Sequence, residues 1–149
     1  MSLTSANNYF EDFTVGRRIR HARGTTIDEV ENQLLTKLVM NSAQGHWNED
    51  TMKDTPFGQR LVFGFITASM VIGLATQDTA ENAIKELSLD KIRFKRPVFH
   101  GDTVYAYTEV LAAEAADVGG IVTFKHWGVN QKEQVVFEGE RRVHLKGRP

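Results

Sequence analysis

Apolar residues recur along this chain with two different periods, and the change from one to the other divides it. Ile27, Val30, Leu34 and Leu38 fall three and four apart, with Leu35 beside them. That is the spacing of one helix face. It predicts a helix over residues 26–41, with Thr26 as its cap and acids in its first turn. A second helix is predicted over residues 64–77, and residues 65–75 of it carry no charge. Phe65, Ala68, Ile72 and Ala75 on one side, and Ile66, Met70, Gly73 and Leu74 on another, leave almost no polar face. A helix apolar all round is buried on most sides, and Gly73 is expected to let it approach a sheet closely. Between the two, residues 49–53 predict a short helix, closed by Pro56 and Gly58.

Beyond the second helix the period shortens to two. Residues 87–96 alternate, with Lys91, Arg93 and Lys95 on one side and Ile92 and Phe94 on the other. Residues 103–111, 121–130 and 135–145 are rich in β-branched and aromatic side chains. Residues 97–102, Gly119-Gly120 and residues 131–133 read as the turns between them. Residues 17–23 predict an edge strand, whose charges suit an edge. Residues 9–16 read as a lead-in that packs on the domain, and residues 1–8 as a flexible polar tail. Helices followed by an antiparallel meander make a single α+β domain over residues 9–149, a sheet wrapped on one buried helix.

Composition adds exclusions. The 149 residues are 41% hydrophobic and 25% charged, as in an ordinary globular domain. A formal charge of −1 gives no reason to expect nucleic acid or an anionic membrane as partner. There is no cysteine, which removes disulfides, thiolate nucleophiles and cysteine-based metal sites. The first residues have neither a basic nor an apolar signal region, and the longest apolar run, residues 61–75, is shorter than the ~20 a membrane helix needs. A cytoplasmic protein that does not enter membranes is expected. The five histidines show no metal-ligand spacing, and neither a glycine-rich phosphate loop nor a serine elbow is present, so no metal or cofactor is expected.

The chemistry concentrates in NSAQGHWNED (residues 41–50) and TPFGQRLVFG (residues 55–64). Amide, imidazole, indole and carboxylate side chains share a loop that runs into the buried helix. Imidazole is the side chain best suited to move protons near neutrality, which marks His46. A helix start offers unpaired N–H groups to an oxyanion, which marks Gly64, where a missing Cβ lets a ligand come close.

These segments carry a resemblance. YFEDFTVG, NSAQGHWNED, TPFGQRLVFG and RFKRPVFHGDTV, in that order, resemble the MaoC-like acyl-CoA hydratases and dehydratases. In that family the loop Phe stands eleven residues after the catalytic His and the helix-opening Gly eighteen after it; Phe57 and Gly64 keep both spacings from His46. Asn41 stands where the commonest pattern has Asp, and Phe63 where a His often precedes the Gly.

The resemblance implies the hotdog fold. It also implies reversible hydration of a trans-2-enoyl thioester to the (R)-3-hydroxyacyl thioester without a cofactor, and a homodimer or dimer of dimers. It assigns His46 as acid–base, Asn41 as orienting the water and Gly64 N–H as holding the thioester oxygen. Trp47, Phe57 and Phe63 would contact the acyl-CoA, and Lys91, Arg93 and Lys95 its phosphates. Two rivals stand beside it. A hotdog thioesterase would need Glu49 or Asp50 to activate water. A non-catalytic acyl-thioester binding domain is favoured by Asn41 in place of Asp.

Overall fold

The computed structural model describes residues 8–149. In chain order it forms β1 (Arg18–Thr26), α1 (Glu29–Leu38), the one-turn helices α2 (Gln44–Trp47) and α3 (Glu49–Met52), and α4 (Gly64–Thr79). Then follow β2 (Ala83–Phe94), β3 (Thr103–Ala115), β4 (Gly120–Val129) and β5 (Val135–Leu145). The strands make one five-stranded sheet in the order β1-β3-β4-β5-β2, antiparallel at every pairing. The sheet packs on α4, whose Val71 and Ala75 are fully buried. This is the hotdog architecture expected from the sequence.

Two apolar clusters hold it. Ile66, Ala68 and Val71 of α4 pack with Val104, Ala106, Val136 and Phe137 of the sheet. Farther along, the lead-in segment delivers Phe13 to Val110, Val122, Phe124, Val143 and Leu145. The Phe13 ring meets Phe124 edge-on at 5.0 Å. Residues 1–7 of the expected tail lie outside the described residues. Asn8 belongs to the packed domain: it is buried, and its Nδ2 donates to the Gln77 carbonyl at 3.0 Å.

Two local expectations are corrected, the cap of α1 and the role of Gly73. The strand β1 runs on through Thr26, and α1 is capped by Asp28, which accepts from Val30 N–H while Glu31 accepts from Asp28 N–H. This reciprocal box satisfies two orphan donors and outcompetes Thr26. The apolar stripe of α1 does not face the core: Val30, Leu34 and Leu38 are 70%, 56% and 67% exposed. Asn32 and Thr36 are the side chains that α1 buries. Gly73 does not meet the sheet either. It is exposed, and a Cβ there would have nothing within 4 Å. The close approach comes from Gly128 of β4, where a Cβ would stand 2.4 Å from Val71 Cγ2.

A buried polar chain crosses between α4 and the sheet. Asp78 Oδ2 meets His21 Nδ1 at 2.7 Å, His21 Nε2 meets the Thr108 hydroxyl at 2.7 Å, and that hydroxyl meets His126 Nδ1 at 2.8 Å. Burial, then the Arg141 charge and His21, push the His126 pKa down to about 3. Unfolding restores an ordinary imidazole at about 6.5. Between these values the unfolded chain binds a proton that the folded chain refuses, so stability falls as pH falls from about 6.5 toward 3. The loss is about 1.4 kcal/mol per pH unit through that window. Urea midpoints measured from pH 7 to pH 4 are expected to drop less steeply for His126→Gln than for the parent chain. Parallel slopes would remove His126 as the cause.

Candidate active site

The site is assembled where three segments meet: the loop after α1, the extended run before α4, and the turn after β2. Asn32, 1% exposed, is the joint between the first two. Its Nδ2 donates to the carbonyls of Leu61 at 3.2 Å and His46 at 3.5 Å, and its Oδ1 accepts from Phe63 N–H at 3.1 Å. Gln33 Nε2 adds a second bond to the His46 carbonyl at 2.5 Å. Leu61 N–H donates to Gly45 O, and Val62 N–H to Val98 O, each at 2.8 Å. A buried amide that satisfies three backbone groups holds the His46 loop and the start of α4 in one frame.

Within that frame His46 Nδ1 lies 3.0 Å from the Leu61 carbonyl. A carbonyl only accepts, so Nδ1 is the protonated nitrogen of the neutral ring and Nε2 carries the lone pair. The fold thereby fixes the tautomer that a general base requires. The ring packs 5.4 Å from Phe63, which continues to Phe65 at 5.7 Å and from there to Phe94 at 5.5 Å.

His46, Phe57, Phe63, Gly64 and Lys95 line one cavity of about 480 Å³. Its remaining wall is largely apolar, from Val62, Phe94, Val98 and Val136. Gly64 opens α4, so its N–H has no intrahelical acceptor. A Cβ at Gly64 would come within 2.9 Å of the Phe94 ring. Glycine here keeps the helix start open toward the cavity.

The other residues singled out in the sequence stand elsewhere. Asn41 Oδ1 accepts from Ala43 N–H at 2.9 Å and shapes the turn into α2. The Trp47 ring lies 5.9 Å from Lys37 Nζ. Lys91 pairs with Glu140 at 3.0 Å, and Arg93 lies 4.0 Å from Glu138. Lys95, although on the cavity, also has Glu138 at 3.7 Å. Glu49 pairs with Arg60 at 2.6 Å and Asp50 with Lys53, so neither acid faces the cavity. Among the described residues no group of three or more His, Asp or Glu side chains is placed to hold a metal ion.

Asn32, Thr67 and Arg96 are among the cavity and frame residues that the sequence does not single out. Asn32 had one signal, its i,i+4 spacing with Thr36 on the side of α1 opposite the apolar stripe. Arg96 and Thr67 line the cavity with no such signal, since an arginine after a strand and a threonine in an apolar helix are both commonplace.

The chain matches a family described as mesaconyl-CoA hydratase over residues 3–147. It is 36% identical over 131 residues to a mesaconyl-CoA hydratase of Haloarcula hispanica, covering 85% of this chain and 36% of that one. It is 34% identical over 120 residues to a beta-methylmalyl-CoA dehydratase of Chloroflexus aurantiacus, covering 78% of this chain and 34% of that one. The chain thus spans about a third of the length of these curated relatives. Among solved structures, the (R)-hydratase of A. caviae involved in PHA biosynthesis superposes with a TM-score of 0.75 at 26% identity, covering 91% of this chain and 98% of that one.

Proposed function

Because this chain belongs to the mesaconyl-CoA hydratase family, we propose that it hydrates a short 2-enoyl-CoA thioester, and dehydrates the 3-hydroxyacyl-CoA, in the cavity that joins His46 to Gly64. The observation that carries this reading is that His46, its Nδ1 tied to the Leu61 carbonyl, and Gly64, at the start of α4, line one cavity.

The thioester oxygen sits at Gly64 N–H, where the positive end of α4 favours developing negative charge. His46 Nε2 takes a proton from water as the water oxygen bonds to the β-carbon. The electrons of the C=C bond move to the α-carbon and onto the thioester oxygen. The imidazolium then returns its proton to the α-carbon, and the net change is one water added. Asn41 acts by setting the turn that carries His46. Lys95 and Arg96 line the cavity as cations suited to the CoA phosphates.

A second copy of the chain completes the particle. The β2 edge leaves one row of backbone groups without a strand partner, beside the half-exposed Ile84, Leu87 and Leu89. Edge pairing of two copies covers that row with two-fold symmetry. The thioesterase reading is weaker, because it needs a carboxylate on water and both candidates are paired away from the cavity.

The test is a panel of short enoyl-CoA substrates followed by loss of enoyl absorbance, with free thiol measured in parallel. Absorbance loss without thiol release is expected, from a species that light scattering sizes as at least a dimer. Thiol release would replace this reading with hydrolysis, and binding without either signal would replace it with a sensor.

A further inference from the structure

The carbonyl that receives His46 Nδ1 is shared. Among the described residues, the Leu61 carbonyl accepts from two side chains, His46 Nδ1 at 3.0 Å and Asn32 Nδ2 at 3.2 Å. A carbonyl oxygen has two lone pairs, so both bonds form together. The peptide unit that carries this oxygen is tied on its other side by Val62 N–H, which donates to Val98 O at 2.8 Å. Val98 thus holds one end of that unit, and Asn32 holds the end that faces the imidazole.

Asn32 has no freedom of its own. Its Nδ2 also donates to the His46 carbonyl at 3.5 Å, and its Oδ1 accepts from Phe63 N–H at 3.1 Å and from the Thr36 hydroxyl at 3.4 Å. Two donors and two acceptor sites are all that a carboxamide offers. The flipped amide would set its oxygen against two carbonyls and its NH2 against an N–H, so the network admits one orientation. The His46 loop has further anchors. Gln33 Nε2 reaches the His46 carbonyl at 2.5 Å, and Leu61 N–H donates to Gly45 O at 2.8 Å. Loss of the Asn32 amide therefore weakens the hold on the Leu61 carbonyl more than the hold on the loop.

We propose that Asn32 is a positioning residue for the proton transfer: by holding the Leu61 carbonyl against His46 Nδ1, it keeps the ring in the tautomer whose Nε2 carries the lone pair. This rests on His46 being the acid–base of the proposed hydratase. A catalytic base is commonly oriented by a third group that fixes its tautomer. Here a backbone carbonyl does so, and a buried amide sets the carbonyl.

Nitrogen NMR of ring-labelled histidine reads the tautomer without turnover, at an alkaline pH where imidazole is neutral. His46→Ala identifies the His46 signals among the five histidines. The parent ring is expected to carry its proton on Nδ1. Asn32→Asp keeps the size and the acceptor for Phe63 N–H but sets oxygen against both carbonyls, and Asn32→Ala removes the amide altogether. In both, the ring should shift toward the Nε2–H form, and kcat should fall about 10–100-fold with KM within a few fold, the scale of a misplaced catalytic group. Thr36→Val removes a buried hydroxyl from the same amide and leaves its bond to Leu61, so neither readout should move. In a His46→Ala background, Asn32→Ala should cost little further kcat, because the two residues act as one unit. A ring that stays protonated on Nδ1 in folded Asn32 variants overturns the proposal. So does a rise in KM in place of the fall in kcat, or an undiminished loss in the absence of His46. Failure of every enoyl-CoA to react with the parent would count against the hydratase reading alone and leave the tautomer as the judge of Asn32.

Discussion

His46→Ala is expected to lower kcat/KM for enoyl-CoA hydration by about 10²–10⁴-fold, the usual contribution of a positioned general acid–base. The fold should survive. The bonds that fix the loop run mainly to the His46 carbonyl, from Gln33 and Asn32, and from Leu61 N–H to the Gly45 carbonyl. The imidazole itself contributes one bond, from Nδ1 to the Leu61 carbonyl. Affinity for a saturated acyl-CoA should therefore stay within a few fold, because Gly64 N–H and the aromatic wall remain. The drop should lie in kcat. A proton carrier acts mainly in the transition state, and removing it spares ground-state binding. Steady-state kinetics beside calorimetry with butyryl-CoA separates the two effects. An unimpaired kcat would put the acid–base elsewhere, and a matching collapse of affinity would make His46 a binding or structural residue.

Gly64→Ala is expected to cost about 10²–10³-fold, the scale of losing one oxyanion donor. The donor itself persists in this variant, so the loss is steric. The added methyl would come within 2.9 Å of Phe94 Cε1 and 3.0 Å of Cδ1. The ring must move, and it forms part of the cavity wall. The methyl also occupies the approach to the N–H. Gly64 has no positive φ, so alanine strains no backbone there. Alanine also favours helix over glycine by up to about 1 kcal/mol in a helix interior. The variant should thus stay folded while being slow. Gly73→Ala is the matched control on the same helix: nothing lies within 4 Å of the added carbon, and activity should be unchanged. Equal activity in the two variants would mean that the start of α4 is not where the thioester sits.

The sequence made α4 and the strands legible because their signals are local. An uncharged run bounded by Gly64 is buried wherever it packs, and alternation marks a half-buried strand whichever neighbour it pairs with. The strand β5, residues 135–145, was placed to the residue. The family resemblance links His46, Phe57 and Gly64, and all three line one cavity. The start of α1 was misread because Thr26 and Asp28 are both good caps. The reciprocal bonds between Asp28 and Glu31 decided between them.

What only the tertiary structure decided is which surfaces meet. The apolar stripe of α1 fixed a helix but not its facing, and the fold turned Asn32 inward because three backbone groups at the site needed a partner. Glycine marks a place where something can come close, but not whose glycine is used. Gly128 touches α4, while Gly73 faces away from the sheet. Lys91 and Arg93 alternated correctly, yet glutamates of β5 lie beside them. Periodicity follows from the chain's own geometry, whereas pairing and facing depend on groups distant in sequence that come together only when the sheet closes on the helix.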